Sequence, residues 1–153
     1  MQLLKIYYAY FSPGNTTEKV VSHIASSFQN YPVESINLTD YATRQEDYYF
    51  KENELLIIGV PAYGGRVPAP VVDALRHFTG SNTPVVLVAT YGNRDIDDTL
   101  IELKKNVIDK GFIPVGAASF VCQHTFLKEC AEGRPDEEDL KMAGEFGDKL
   151  KER

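Results

Sequence analysis

"ELLIIGVPAYGGRVPAPVVDAL", Glu54 to Leu75, joins three kinds of sequence within one short segment. Leu55 to Val60 is apolar at every position rather than at every second one, the mark of a strand covered on both faces. The run is too short for a core helix. Pro61 to Pro68 then breaks any regular structure with prolines and the pair Gly64–Gly65. Pro68 and Pro70 suit the first turn of a helix, where a missing N–H costs nothing, and Val71, Leu75 and Phe78 fall on one stripe of it. Strand, glycine loop and proline-started helix make one half of a βαβ unit.

The same alternation extends in both directions. Runs rich in β-branched and aromatic residues predict strands at Leu3–Tyr10, Val33–Leu38, Glu54–Val60, Pro84–Thr90 and Ile113–Val121. "PVVLVAT", Pro84 to Thr90, is a second continuous apolar run. Helical stripes lie between and after them: Val20, Val21, Ile24, Ala25 and Phe28; Leu100, Leu103, Val107 and Ile108; Leu140, Ala143, Phe146 and Leu150. Pro135 and the acidic run Asp136–Asp139 open the last helix. Thr39–Glu52 is left as a short helix or an irregular crossover. Five strands alternating with helices predict an α/β, doubly wound three-layer sandwich around a five-stranded parallel sheet of order 2-1-3-4-5. Residues 1–153 read as a single domain, without repeats or linkers.

Composition narrows the function. With 43% hydrophobic and 25% charged residues, the chain has the balance of a water-exposed globular domain. Its longest apolar run is far short of the ~20 residues of a membrane helix, so no membrane association is expected. A net charge of −6 argues against a nucleic-acid partner and favours basic protein partners. Lys5 is followed by tyrosines and no small-residue cleavage site, so no signal peptide is expected. Cys122 and Cys130 are too few for a disulfide scaffold or an iron–sulfur cluster, which favours the reducing cytoplasm. No histidine or cysteine spacing suggests a metal site.

In a doubly wound sheet, ligands sit beyond the carboxyl ends of the strands near the switch point between strands one and three. Three unusual loops leave those ends. In the first, Ser12, Pro13, Gly14, Asn15, Thr16 and Thr17, hydroxyls and successive N–H groups run into a helix start, a nest suited to an anion. Gly14 lets the backbone come close, and Asn15 tolerates a left-handed conformation. The competing reading is a polar turn that only caps the helix. The second loop, Pro61, Ala62, Tyr63, Gly64 and Gly65 onward, offers an aromatic face beside a peptide free to take more than one orientation; otherwise it is a surface turn with Tyr63 as a lid on the core. The third runs from Thr90, Tyr91, Gly92 and Asn93 past Ile96 and offers an aromatic, a glycine and an amide, or else a plain connection capped by Asp95, Asp97 or Asp98. GxxxxGK[ST] and GxGxxG are both absent, and the acidic residues a receiver domain would place after strand one are replaced by Phe11 and Ser12.

A phosphate nest, an aromatic platform and an amide-rich loop describe a site for a planar ring carrying one phosphate. "FSPGNTTEKV", "GVPAYGGRVPAPV", "ATYGNRDIDDTL" and "ASFVCQHTF" resemble flavodoxins across essentially the whole chain, and most closely the flavodoxin-like portion of anaerobe flavodoxin–ferredoxin fusion proteins. The family usually reads [S/T]-x-T-G-x-T in the first loop; here Gly14 and Asn15 stand at the Thr and Gly positions in an ungapped alignment, or a one-residue gap aligns Gly14-Asn15-Thr16 and leaves the loop one residue shorter. The resemblance implies non-covalent FMN used for electron transfer between redox proteins, a ferredoxin or a reductase among them. It implies that Ser12 to Thr17 hold the phosphate, that Tyr63 covers the flavin ring, and that Tyr91, Gly92 and Asn93 border its pyrimidine edge. Ile96 replaces a common second stacking aromatic, and Arg66 and Arg94 stand in loops that are commonly acidic. His124 follows the fifth strand, where a loop histidine can reach the flavin edge or simply face solvent. Two rivals remain open at this point: an NAD(P)H-dependent FMN oxidoreductase acting on quinones or other small acceptors, with Arg66 or Arg94 on a nucleotide phosphate, and a flavin-free interaction domain.

Overall fold

The computed structural model describes residues 3–92, 98–122 and 133–152. Its elements in chain order are β1 (Lys5–Tyr10), α1 (Thr16–Ser26), β2 (Val33–Asn37), α2 (Tyr41–Arg44), β3 (Tyr48–Tyr49), β4 (Glu54–Pro61), α3 (Ala69–Leu75), β5 (Phe78–Thr79), β6 (Thr83–Tyr91), α4 (Thr99–Ile108), β7 (Phe112–Val121) and α5 (Glu137–Lys151). Five strands form one sheet of order β2-β1-β4-β6-β7, every neighbour parallel. Counting only its members, this is the expected order 2-1-3-4-5.

The apolar runs explain the layering. On β4, Leu56, Ile58 and Val60 enter a core shared with Val71 and Leu75 of α3 and Leu103 and Val107 of α4. Leu55 and Ile57 point the other way, into a core with Val20, Val21 and Ile24 of α1 and Ala143 of α5. Both faces are dry, so a continuous apolar run is what the strand requires. Gly59 marks where α1 lies closest to the sheet. A Cβ there would come 2.1 Å from Val21 Cγ2, so even alanine would overpack this contact and push α1 off the strand. That close approach seats the start of α1 directly over the ends of β1 and β4.

Three details of the stripes differ from expectation, the first being that Phe28 is buried but lies past the end of α1 at Ser26. Phe78 fits the helical spacing of Val71 and Leu75, but α3 ends at Leu75 and Phe78 is a buried residue of β5. It is recruited by Tyr48 in a two-stranded parallel ribbon, with Tyr48 paired to Phe78 and Tyr49 to Thr79. This ribbon, with the four-residue α2, is what Thr39–Glu52 becomes. Ile108 lies at the last turn of α4 and stays 47% exposed, because it falls off the helix face that buries Leu103 and Val107. β7 carries a register irregularity opposite Val85/Val86, where Pro114 pairs with Val85 and Gly116 with Val86. Among the described residues, no helix is long and apolar enough to cross a membrane.

Candidate functional site

Parallel strands bring their carboxyl ends to one edge, and short backbone bonds fasten the departing loops together there. Leu38 N–H donates to Tyr10 O at 2.8 Å, Phe11 N–H to Gly59 O at 3.2 Å, Ala62 N–H to Thr90 O at 2.8 Å and Cys122 N–H to Tyr91 O at 2.7 Å. The three candidate loops are therefore neighbours in space.

In the first loop, Asn15 takes the left-handed conformation its residue type allows, with φ 66°, and stands at the N-cap of α1 without a side-chain cap bond. The buried Ser12 does the capping from a distance: its Oγ accepts from Glu18 N–H at 3.0 Å. Ser12 is itself held, its N–H donating to Thr39 Oγ1 at 2.7 Å. Pro13, Gly14 and Asn15 are exposed and Thr16 half-buried. Among the described residues, the N–H groups of Gly14, Thr16 and Thr17 meet no acceptor. These are unpartnered donors at a helix start, where the dipole is positive and an anion would be favoured. The Thr17 hydroxyl does not join them. Read from the sequence as a donor to the anion, it is buried and shares a 2.8 Å hydrogen bond with Thr90 Oγ1, because Thr17 lies on the side of α1 that packs on the sheet.

Below this loop lies a layer that composition did not reveal. Cys122 is buried, and its thiol is pushed up to about 12, chiefly by burial, with hydrogen bonds from Thr16 and Thr90 opposing the shift. Thr16, Thr17, Thr90 and Cys122 thus stitch the start of α1 to the ends of β6 and β7. At this pKa the thiol is protonated and inert near neutral pH. The thiol's partners Thr16 and Thr90 are 106 and 32 residues away, so nothing local in the sequence signals them.

The second loop is a two-residue hairpin turn. Tyr63 and Arg66 exchange both backbone bonds, Tyr63 N–H to Arg66 O at 2.9 Å and Arg66 N–H to Tyr63 O at 3.0 Å. Gly64 and Gly65 occupy its centre at φ 59° and 78°, the double left-handed pattern of a type I′ turn. A Cβ on Gly64 would face open space, so glycine is needed there for its backbone and not for room. Tyr63 is half-buried and meets Phe11 edge-on, ring centres 6.2 Å apart. It packs on the core cluster of β4 as well, so it lids the core and borders the first loop at once. Pro61 and Ala62 are half-buried behind it.

The turn is tied to α4. Gly65 O accepts from Asp98 N–H at 3.1 Å. Arg66 makes a two-pronged pair with Glu102, Nε to Oε1 at 2.9 Å and an Nη to Oε2 at 3.1 Å, while Val67 N–H also donates to Oε1 at 2.9 Å. Arg66 holds the Glu102 carboxyl below its ordinary range despite partial desolvation. Of the third loop, Thr90 is buried and Tyr91 and Gly92 are half-buried; Asn93, Arg94 and Ile96 lie outside the described residues, as do His124 and Cys130. Asp98 is the N-cap residue of α4 but makes no side-chain cap bond.

No family model and no curated protein matches this chain. Solved structures do. A flavodoxin from the domain Archaea superposes with a TM-score of 0.66 at 14% identity, covering 97% of each chain. A flavodoxin of Streptococcus pneumonia TIGR4 gives 0.67 at 14% identity over 97% of this chain and 98% of its own. The fold is that of flavodoxins. A third such structure, Fusobacterium nucleatum flavodoxin bound to flavin mononucleotide, gives 0.64 at 17% identity, again over 97% of each chain. At these identities the likeness is one of architecture: the flavodoxin-like sheet is shared while most side chains are not.

Proposed function

We propose that this chain binds FMN without a covalent bond and carries electrons between redox proteins, acting as one flavodoxin-like unit over residues 1–153. The carrying observation is the set of open N–H groups of Gly14, Thr16 and Thr17 at a helix start, set beside Tyr63 through the Phe11 ring contact. One terminal phosphate would occupy the nest of Ser12, Pro13, Gly14, Asn15, Thr16 and Thr17. The ring would lie against Tyr63, with Pro61, Ala62, Gly64 and Gly65 on one side and Thr90, Tyr91, Gly92, Asn93 and Ile96 on the other. The donor set fits the group: neutral N–H dipoles suit a phosphate, and a flat phenol suits a flat ring. When bound, the flavin supplies one- and two-electron redox chemistry, and the chain positions and tunes it.

Likeness of the loop sequences to the flavodoxin-like portion of flavodoxin–ferredoxin fusion proteins points to iron–sulfur partners of the ferredoxin type, or to a reductase, in the cytoplasm. Arg66 favours a carrier over an NAD(P)H-dependent oxidoreductase, since two of its guanidinium nitrogens are engaged by Glu102 and its charge is balanced there. The test is calorimetric titration of the flavin-free protein with FMN, riboflavin and FAD, alongside the visible spectrum of the purified protein. FMN should bind at least tenfold more tightly than riboflavin, reflecting charge-assisted bonds of about 1.5–3 kcal/mol. Equal affinities, or none, would overturn the assignment. Fast NAD(P)H oxidation by the loaded protein would favour the oxidoreductase instead.

A further inference from the structure

The Tyr63–Arg66 turn has both glycines in the left-handed region, where the backbone has wide freedom, yet its far side is fully fastened. Each fastening comes from the first turn and a half of α4. Asp98 N–H takes the Gly65 carbonyl, and Glu102 takes the Val67 N–H and the Arg66 fork together. One carboxylate thus receives three donors from two consecutive residues. It is better sheltered than its partner, with side-chain exposures of 23% for Glu102 and 64% for Arg66. This exceeds what an ordinary exposed ion pair does, because the backbone bond to Val67 fixes the carboxylate even when the arginine moves.

We propose that Glu102 is the positioning residue of the Tyr63–Gly64–Gly65 turn, and that by neutralising Arg66 it sets the midpoint potential of the flavin that the turn borders. The inference rests on the FMN reading given above. Its physical content is a charge balance. Arg66 follows the turn directly, so its cation would favour the reduced, electron-rich flavin if it stood alone. Paired with Glu102, the two charges nearly cancel at the flavin. Removing either one leaves the other uncompensated, with opposite effects. At the same time, loss of Glu102 frees the Val67 N–H and loosens the hairpin on its α4 side.

The experiment is a cycle of Glu102→Gln, Arg66→Gln and the double variant. Each FMN-loaded protein is titrated potentiometrically, and flavin-free wild type and a Glu102→Ala variant are followed by amide hydrogen exchange. Glu102→Gln should raise the affinity for reduced relative to oxidised FMN by roughly fivefold, the scale of one unit charge acting across a partly solvated site. Arg66→Gln should lower it by a similar factor, and the double variant should return close to wild type. Shifts of the same sign in both single variants, or unchanged potentials, would overturn the charge balance. In the flavin-free proteins, faster exchange at Arg66 and Val67 in a Glu102→Ala variant supports the positioning role, and unchanged exchange overturns it. Failure of the wild-type protein to bind FMN would count against the function proposed above, while the exchange measurement would still decide the role of Glu102 in the turn.

Discussion

The first and last helices begin near the same edge of the sheet, and they begin in opposite ways. α5 completes itself. Asp136 Oδ1 accepts from Asp139 N–H at 3.0 Å, Asp139 Oδ2 accepts from Asp136 N–H at 2.9 Å, and Glu137, Glu138 and Asp139 place negative charge in its first turn. Arg134 grips the Asp139 carboxylate from outside. α1 leaves most of its start open, with Ser12 Oγ taking the Glu18 N–H alone. Asn15 makes no side-chain cap bond, and the one first-turn carboxylate, Glu18, bonds the Tyr10 hydroxyl, which that contact and above all burial push up to about 12. A helix start can spend its own side chains on its orphan donors, or leave those donors for something that arrives from outside. On the function proposed above, stability is concentrated at the first kind and binding at the second.

If that division holds, variants at the two starts should separate cleanly. The largest effect belongs to α5. Asp139→Ala removes a 7%-exposed carboxylate that serves Arg134 and the Asp136 N–H, and should cost about 3 kcal/mol in urea unfolding while leaving FMN affinity unchanged. A comparable drop in FMN affinity would show that the two starts are not independent. The same carboxyl makes this loss depend on pH. Arg134 first, and the Asp136 N–H after partial desolvation, hold Asp139 below its ordinary range. A depressed carboxyl contributes its full stability above its unfolded value of about 3.9 and loses it as pH falls through the folded value. The stability gap between wild type and Asp139→Asn should therefore be constant near neutrality and close in acid.

At α1 the signs should reverse. Asn15→Asp adds a carboxylate at the open start, which should stabilise the flavin-free protein by about 0.5 kcal/mol and weaken FMN by about tenfold, with riboflavin affected little. Equal weakening of both flavins would mean that the phosphate lies elsewhere. Tyr63→Ala serves as the counterpart at the ring. It should weaken FMN and riboflavin alike, by about 0.5–1.5 kcal/mol beyond the buried area lost. A smaller loss of stability than at Asp139 is expected at Gly64, where a side chain meets no neighbour and only the φ of 59° matters. Gly64→Ala should cost about 1 kcal/mol of stability, measured in the flavin-free protein.

Much of this architecture is legible in the chain because its determinants are local. Continuous apolar runs at Leu55–Val60 and Pro84–Thr90 can be buried on two faces only inside a parallel sheet, and the structure puts them at its centre. Pro68 and Pro70 at the start of α3, Asn15 in the left-handed region and the double glycine turn are equally local facts. What escaped is held by distant partners. Phe78 keeps a helical spacing but is claimed by Tyr48, and the Thr17 hydroxyl is claimed by Thr90, 73 residues away. Arg66 reads as a free cation until Glu102, 36 residues on, fills its fork. Cys122 reads as a small hydrophobe and is one, but it also knits the floor of the first loop.

The irregularity in β7 has a consequence for how the protein behaves among copies of itself. β2 and β7 are the outer strands of the sheet, and a parallel edge with regular spacing invites another chain to continue it. On β7, Pro114 brings no N–H, and the step in register beside it bends the strand away from the flat course a newcomer would need. On β2, Glu34 is held by Lys5 and puts a solvated ion pair on the rim. Each boundary of the sheet thus carries a feature that disfavours its continuation by another chain.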